Sequence, residues 1–444
     1  MIELLGGWGR FPRVPSHLLR PDRPAAVPAL VAAARSTIAR GSGRAYGDAA
    51  LGIDTTLSTA ALDRVISFDA QAGVLHAEAG LKLIDLIPIC LAHGWFPKVV
   101  PGTRYPTLGG MIAADIHGKN HHRDGGFGAH VMALRLLTAA GDILDITPAS
   151  HPDIFRATIG GMGLTGIILS ATIRLHRVET GLIRQSTIIA PSLAHAIREL
   201  DAADAAHYSV AWIDCTMTGP SMGRSLVYLG EHASAAEAGE ARALASRRVS
   251  NRPPRPFPLD APGFALNRFS IKAFNALYYS RGASKAGSPF LIDHVPYFFP
   301  LDAIADWNRI YGARGFVQHQ CVLPPDTAPD ALHAMLKEIT ARGLASPLAV
   351  LKKLDQGTGM LSFPMPGYTL ALDFAVRDDL FAFLARLDAI VAEARGRLYL
   401  AKDSCQPRAL FEAGYPELAR FRQIRQQLDP QGRFASHQSR RLGL

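Results

Sequence analysis

The stretch PGTRYPTLGGMIAADIHGKNHH, residues 101–122, governs how the rest of the chain is read. It strings Gly102, Gly109, Gly110 and Gly118 around a short apolar run and carries three histidines, His117, His121 and His122. Two further glycine-rich stretches flank it, RGSGRAYGD at 40–48 and IGGMGLTGI at 159–167. Backbone N–H groups with no Cβ in the way form concave nests for anions. Three such loops so close in sequence point to a ligand with two phosphates and a long body, rather than to tight turns that hold nothing. The third loop contains a literal GxGxxG at Gly161, Gly163 and Gly166. That string marks a dinucleotide fold only when a strand leads in and a helix leads out. Here HPDIFRAT before it reads as a helix and IILSATIRL after it alternates like a strand, so the Rossmann reading fails. No GxxxxGK[ST] is present, which removes a P-loop NTPase.

Outward from the loops, residues 35–180 read as short strands and helices: VLHAEAG (74–80) as a strand, 81–93 as a helix stopped by Gly94, and VMALRLLTAAGDILDI (131–146) as a hairpin turning at Gly141-Asp142. This is an α+β pattern and not a βαβ repeat. Residues 181–396 form a second mixture, with an Ala-rich helix at about 234–247 and strands near 207–213, 316–323 and 368–376. Within it, 251–290 is rich in Pro, Phe and Arg with weak periodicity, and reads as a long irregular, mobile segment. The tail from 397, RLYLAKDS followed by a helix through roughly 407–428, reads as an element returning to the first part.

With 444 residues the chain exceeds what one core supports, so two domains, or one interrupted by another, are expected. Its 47 Lys+Arg against 38 Asp+Glu leave +9 spread along the sequence, which favours an anionic ligand or a membrane surface over nucleic acid. Cys90, Cys215, Cys321 and Cys405 are scattered, which fits a reducing compartment and neither a zinc site nor a disulfide framework. The N-terminal sequence has no signal-peptide core, and the apolar run 81–97 is broken by Lys82, Asp85, Pro88 and His93. A cytoplasmic or peripheral membrane protein, with no signal peptide or transmembrane helix, is expected.

Taken together, DIHGKNHH, GSGRAYGD, IGGMGLTGI and LYLAKDS resemble the decaprenylphosphoryl-β-D-ribose 2′-oxidase family, FAD enzymes of the vanillyl-alcohol-oxidase type, from GWGR (7–10) to FASHQSRRL (434–442). The resemblance implies a two-part FAD-binding domain, 1–180 with 397–444 returning to it, and an inserted α+β substrate domain, 181–396. It implies cofactor contacts from Gly41, Gly43, Arg44, Ala45, Tyr46 and Gly47, from Pro101, Gly102, Thr103, Thr107, Gly109 and Gly110, from Ala114, Asp115, His117 and Gly118, and from Gly163 and Ile167. On the substrate side it implies Lys119, Trp212, Gln318, Gln320, Lys352 and Thr369, with Ala371 beside them. Where mycobacterial members carry asparagine, cysteine and tyrosine, this chain has Thr369, Ala371 and Phe298, which bears on the exact sugar lipid.

The family's reaction is oxidation of the ribose 2-hydroxyl of a polyprenyl-phosphate sugar, with an NAD(P)H-dependent keto-sugar reductase completing an epimerisation to an arabinose donor. By resemblance Lys402 supplies the cation at the flavin–substrate junction. The hydroxyl proton goes to His117 or to a bound water, and His121 and His122 are structural. A metal cluster of the histidines lacks a completing carboxylate or thiol. The rival readings are an aldonolactone- or alditol-type sugar oxidase and a flavin-binding subunit without turnover. Retention of both His117 and Lys402 argues against the second. In the wider superfamily a histidine in the first loop bonds the flavin covalently. Arg44 stands there in this chain, so acid denaturation is expected to release all of the FAD into the supernatant. Flavin retained on the precipitated chain would refute this.

Overall fold

The computed structural model describes residues 2–248, 253–263, 265–344 and 346–444. Its strands form three principal sheets. In the first, the strands run Ile2–Gly6, Arg13–Leu19, Thr55–Ser58, Thr37–Arg40 across the sheet, and the loop 41–48 leaves the end of the last of these. The second is antiparallel around the long strand Ile167–Arg177, which pairs with Val74–Glu78 on one side and Val131–Leu137 on the other. Its 131–146 hairpin closes at Gly141, whose φ of +97° suits a residue without Cβ. The helix Pro152–Thr158 precedes the GxGxxG loop and the 167–177 strand follows it, the reverse of a dinucleotide fold.

The third sheet has eight strands, with Tyr208–Ile213, Ala349–Leu354, Gly367–Ala375 and Phe316–Leu323 adjacent in that order. Alternation along these strands divides the residues cleanly. Ala211, Cys321, Leu351, Leu370 and Leu372 face the helices Leu193–Ala202, Ala328–Ala341 and Leu380–Glu393 in one apolar core. The residues between them, Trp212, Gln320, Lys352, Ala371 and Asp373, face the other way. That period of two is what delivers polar side chains to one side of a sheet whose opposite side is sealed.

Beyond Arg397–Leu398, which pairs with the 316–323 strand, the chain turns back onto the first sheet. Phe411, Tyr415 and Phe421 pack against Ile38, Ala157 and Leu164, and Phe434 bridges to Thr37. Arg441 then closes the structure: its guanidinium reaches Asp48 Oδ1 at 2.8 Å and Asp403 Oδ2 at 2.8 Å, joining the first glycine loop to the loop after LYLAK.

Three sequence expectations need correction. The segment 251–290 is irregular only in part: a helix runs Arg268–Ala283, capped by the Asn267 side chain, which accepts from Phe269 N and Ser270 N. Only Ile271 and Asn275 of it are buried, so its apolar periodicity is faint. Arg252 and Phe264 of the same segment lie outside the described residues. The helix expected at 234–247 is two, Ala235–Ala238 and Glu240–Ser246, separated by Gly239 at φ +76°. The helix expected at 407–428 is likewise divided, into Arg408–Gly414 and Leu418–Leu428, where Tyr415 turns extended ahead of Pro416.

Candidate active site

The three glycine loops and the polar side of the eight-stranded sheet meet in one cleft of about 410 Å³. Of the residues named from sequence, the lining contains Gly41, Gly43, Arg44, Ala45, Tyr46, Pro101, Gly102, Thr103, Thr107, Gly109, Gly110, Ala114, His117, Gly118 and Gly163. It also contains Lys119, Trp212, Phe298, Gln318, Gln320, Lys352, Ala371 and Lys402. Four others do not line it. Gly47 is pressed against the backbone of Asp403, where a Cβ would sit 1.9 Å from the carbonyl oxygen. Ile167 is part of the apolar core beneath the second sheet. Asp115, fully buried, faces the 357–362 loop and accepts from Gly128 N, Thr358 N and Ser362 Oγ. Thr369 stands behind Gln320, accepting from its amide at 3.1 Å.

The first wall is backbone. Gly43 adopts φ +65°, and a Cβ there would meet the Arg40 guanidinium at 2.3 Å, so only glycine completes this turn. Gly102 faces open space, with nothing within 4 Å of a Cβ position. Ser42, between Gly41 and Gly43, has a buried hydroxyl without a protein partner. Arg44 lies between two rings, 3.8 Å from the Trp8 centroid and 4.5 Å from that of Tyr105. Ser42 and Trp8 carry no signal of their own in the sequence, although both lie inside the motifs that mark the site.

The second wall is charged and buried. Burial, then the field of Lys352, pushes Lys119 down to about 7; its ammonium donates to the Tyr297 carbonyl and lies 4.1 Å from that ring. Burial alone pushes Lys352 down to about 8. Lys402 sits 3.4 Å above the ring of Tyr46, pushed down to about 7 by burial and Lys352 while Asp373 acts the other way. His117 is held neutral by burial, with Lys352, His121 and Lys402 adding repulsion. The Gln320 amide lies 3.0 Å from its Nε2 and donates to it, which leaves the His117 proton on Nδ1, a buried atom with no protein acceptor. His121 accepts from Asp355 N through Nδ1 and His122 bonds the Ala206 carbonyl through Nε2, and neither ring lines the cleft.

Asp373 is a further cleft residue that no sequence motif marks. It lines the cleft, 1% exposed, and accepts from Gln318 Nε2 at 2.6 Å and from Tyr311 at 3.2 Å. The signal was available, because Thr369, Ala371 and Asp373 alternate along one strand.

Glycine loops facing buried cations make a site for a large anionic ligand, and similarity to known proteins says which. A model for an FAD binding domain matches residues 15–147, and one for D-arabinono-1,4-lactone oxidase matches 374–442. The chain is an FAD-dependent oxidoreductase. Across 99% of its length it is 38% identical to the decaprenylphosphoryl-beta-D-ribose oxidase of Mycolicibacterium smegmatis, 97% of which is covered, and it belongs to that family. It is 35% identical, over 82% of its length, to the whole of an uncharacterized Streptomyces coelicolor protein encoded in the mprA 5′ region. It is also 30% identical to bovine L-gulonolactone oxidase over 30% of each chain. The residues present fit FAD: the unpartnered Ser42 hydroxyl, the open space at Gly102 and the unpaired His117 Nδ1 all await a ligand's polar atoms.

Replacing Lys402 by Met keeps the aliphatic stem over Tyr46 and removes the charge. FAD content should be unchanged while stopped-flow reduction by the sugar substrate slows roughly 10²-fold, the scale of one lost preorganised donor. Reduction at the unmodified rate would return Lys402 to an incidental cation.

Proposed function

We propose that this protein oxidises the 2-hydroxyl of a polyprenylphosphoryl ribose to the 2-keto sugar. The observation that carries the reading is that Lys119, Lys352 and Lys402 converge on one largely apolar cleft with almost no counter-charge. Burying three ammonium groups is costly unless an anion joins them. An uncharged aldonolactone makes no such demand; a sugar phosphate does. Aromatic rings close the cleft, with Trp212 4.7 Å from Tyr278 and the Tyr228 and Tyr278 hydroxyls 3.3 Å apart, a surface suited to the first isoprene units.

When bound, FAD supplies the two-electron oxidant, held by the loops around Gly41, Gly102 and Gly163 with Ser42 and His117. The work of the chain's own residues follows from their geometry. Lys119 and Lys352 neutralise the phosphate and fix the sugar; Lys402 puts a positive charge where negative charge develops. His117, with its acceptor nitrogen already occupied by Gln320, donates from Nδ1 and orients, which leaves the hydroxyl proton to water. The two-part division, cofactor domain 1–180 with 397–444 and substrate domain 181–396, is supported by the docking of Phe434 and Arg441 onto the first sheet and its loop. The keto product needs an NAD(P)H-dependent reductase to become an arabinose donor.

The same reading extends to a membrane surface. Among the described residues no helix is long and apolar enough to cross a membrane. The helix Arg268–Ala283 contributes Tyr278 to the cleft mouth and turns Phe269, Phe274 and Leu277 outward, with Arg268, Lys272 and Arg281 among them. Exposed rings flanked by cations suit an anionic leaflet, at about 1 kcal/mol per cation.

Anaerobic mixing with polyprenylphosphoryl ribose should bleach the flavin, while aldonolactones and free alditols leave it yellow; the reverse result selects the aldonolactone reading, and no bleaching with any sugar selects the subunit without turnover. Phe269→Ser/Leu277→Ser should weaken sedimentation with anionic liposomes severalfold at unchanged FAD content. Undiminished sedimentation would remove this helix from the membrane contact.

A further inference from the structure

The helix Arg268–Ala283 is mostly exposed, and of its residues only Ile271 and Asn275 are buried. It rests on the strands Leu182–Ala190 and Ser225–His232. A leucine at position 275 would bury more apolar surface there, whereas an asparagine brings two polar groups that need partners. One of them has a partner: Asn275 Nδ2 donates to Asp214 Oδ1 at 2.9 Å, while Asn275 Oδ1 has none among the described residues. Asp214 is completely buried and does not line the cleft. It accepts from Thr216 N and Oγ1 at 3.0 and 2.6 Å and from Arg224 Nε and Nη2 at 3.0 and 2.9 Å. The connection between the strands Tyr208–Ile213 and Ser225–His232 thus holds this carboxylate rigidly, and Asn275 reaches it from the helix.

A buried amide with one fixed partner costs apolar packing and sets how a helix is turned and where it stands along its axis. The other contacts of the same helix face depend on that setting. Three residues beyond Asn275, the Tyr278 ring lies 4.7 Å from that of Trp212, and its hydroxyl is 3.3 Å from that of Tyr228. Four residues beyond, the Tyr279 ring lies 4.3 Å from the Arg224 guanidinium. Seven beyond, Gly282 lets Leu226 approach so closely that a Cβ would stand 2.2 Å from its Cδ1. Trp212, Tyr228 and Tyr278 line the cleft, and Asp214 follows Trp212 by two positions. The anchor and the aromatic wall therefore belong to one hairpin.

We infer that Asn275 and Asp214 are positioning residues that seat Tyr278 in the cleft wall and so set the enzyme's affinity for the lipid part of its substrate. This rests on the polyprenylphosphoryl sugar proposed above. Both residues act through the place of Tyr278. Loss of their bond frees the helix to shift on the sheet and opens the aromatic wall, while Lys119, Lys352 and Lys402, which stand on other elements, stay where they are.

The test uses the FAD-loaded enzyme. Asn275→Leu should speed amide hydrogen exchange over residues 272–283 about tenfold, the scale of one lost bond to a buried carboxylate, at unchanged FAD content. The same variant should raise KM for polyprenylphosphoryl ribose about tenfold at unchanged kcat, and leave both constants unchanged for methylphosphoryl ribose, which has the phosphate and sugar without the chain. A general loss of structure would move both substrates together. Should Asn275→Leu fail to fold, Asn275→Ala removes the bond without adding bulk and is read in the same way. Unaltered exchange, or equal effects on the two substrates, overturns the inference. If neither sugar bleaches the wild-type flavin, the proposed substrate is refuted, and polyprenyl phosphate without sugar judges the anchor by equilibrium dialysis. Weaker binding of that lipid by the variant, with inorganic phosphate bound as before, upholds the inference; equal binding of the lipid overturns it.

Discussion

One strand register underlies the chemistry of the substrate half. Gln318 lies opposite Asp373, Gln320 opposite Ala371, and Lys352 opposite Thr369, so three adjacent antiparallel strands present amides, a carboxylate and an ammonium on one face. A slip of one residue would turn every one of them into the apolar core against the three helices and bring leucines into the cleft. The register is held from the other side, where Leu351, Leu370 and Leu372 are completely buried. The polar face is thus specified by the packing of residues that never touch a ligand.

The cleft so formed is electrically unbalanced, and that imbalance is its most informative property. Lysines are rarely buried without partners, because desolvation disfavours the ammonium. Here Lys119 has carbonyl and aromatic contacts, Lys402 has an aromatic face and a distant carboxylate, and Lys352 lies open to the cleft. Burial lowers the proton affinity of each, and an anion in the cleft acts the other way, which favours charged over neutral sugars.

Much of this was legible in the sequence, and unevenly so. The glycine loops declared themselves because an anion nest needs a local run of small residues, and the reversed helix–loop–strand order around Gly161 could be read from periodicity alone. Side-chain direction could not. Gly47 and Asp115 sit inside strong motifs, yet one packs on Asp403 and the other ties the 101–122 segment to Ser362, because a motif preserves backbone path as well as contact. Asp373 was missed for the converse reason: it belongs to no motif, and only its alternation with Thr369 and Ala371 links it to the site. The helix Arg268–Ala283 is faint in the sequence because a helix that buries little more than Ile271 and Asn275 has almost no apolar stripe to detect.

Arg441 adds a constraint in time as well as in space. The carboxylate it shares with Asp48 is 393 positions upstream, and Asp403, its other partner, is 38 positions away. During synthesis the first glycine loop emerges early and must wait, with a buried acid still unpaired, until residue 441 has left the ribosome. Contacts this distant along the chain are slow to form. The nascent protein therefore passes through a long interval in which both sheets of its amino-terminal part can be made while the nest for the cofactor stays open on one side, and a completed cofactor site becomes a signal that translation has run past residue 441.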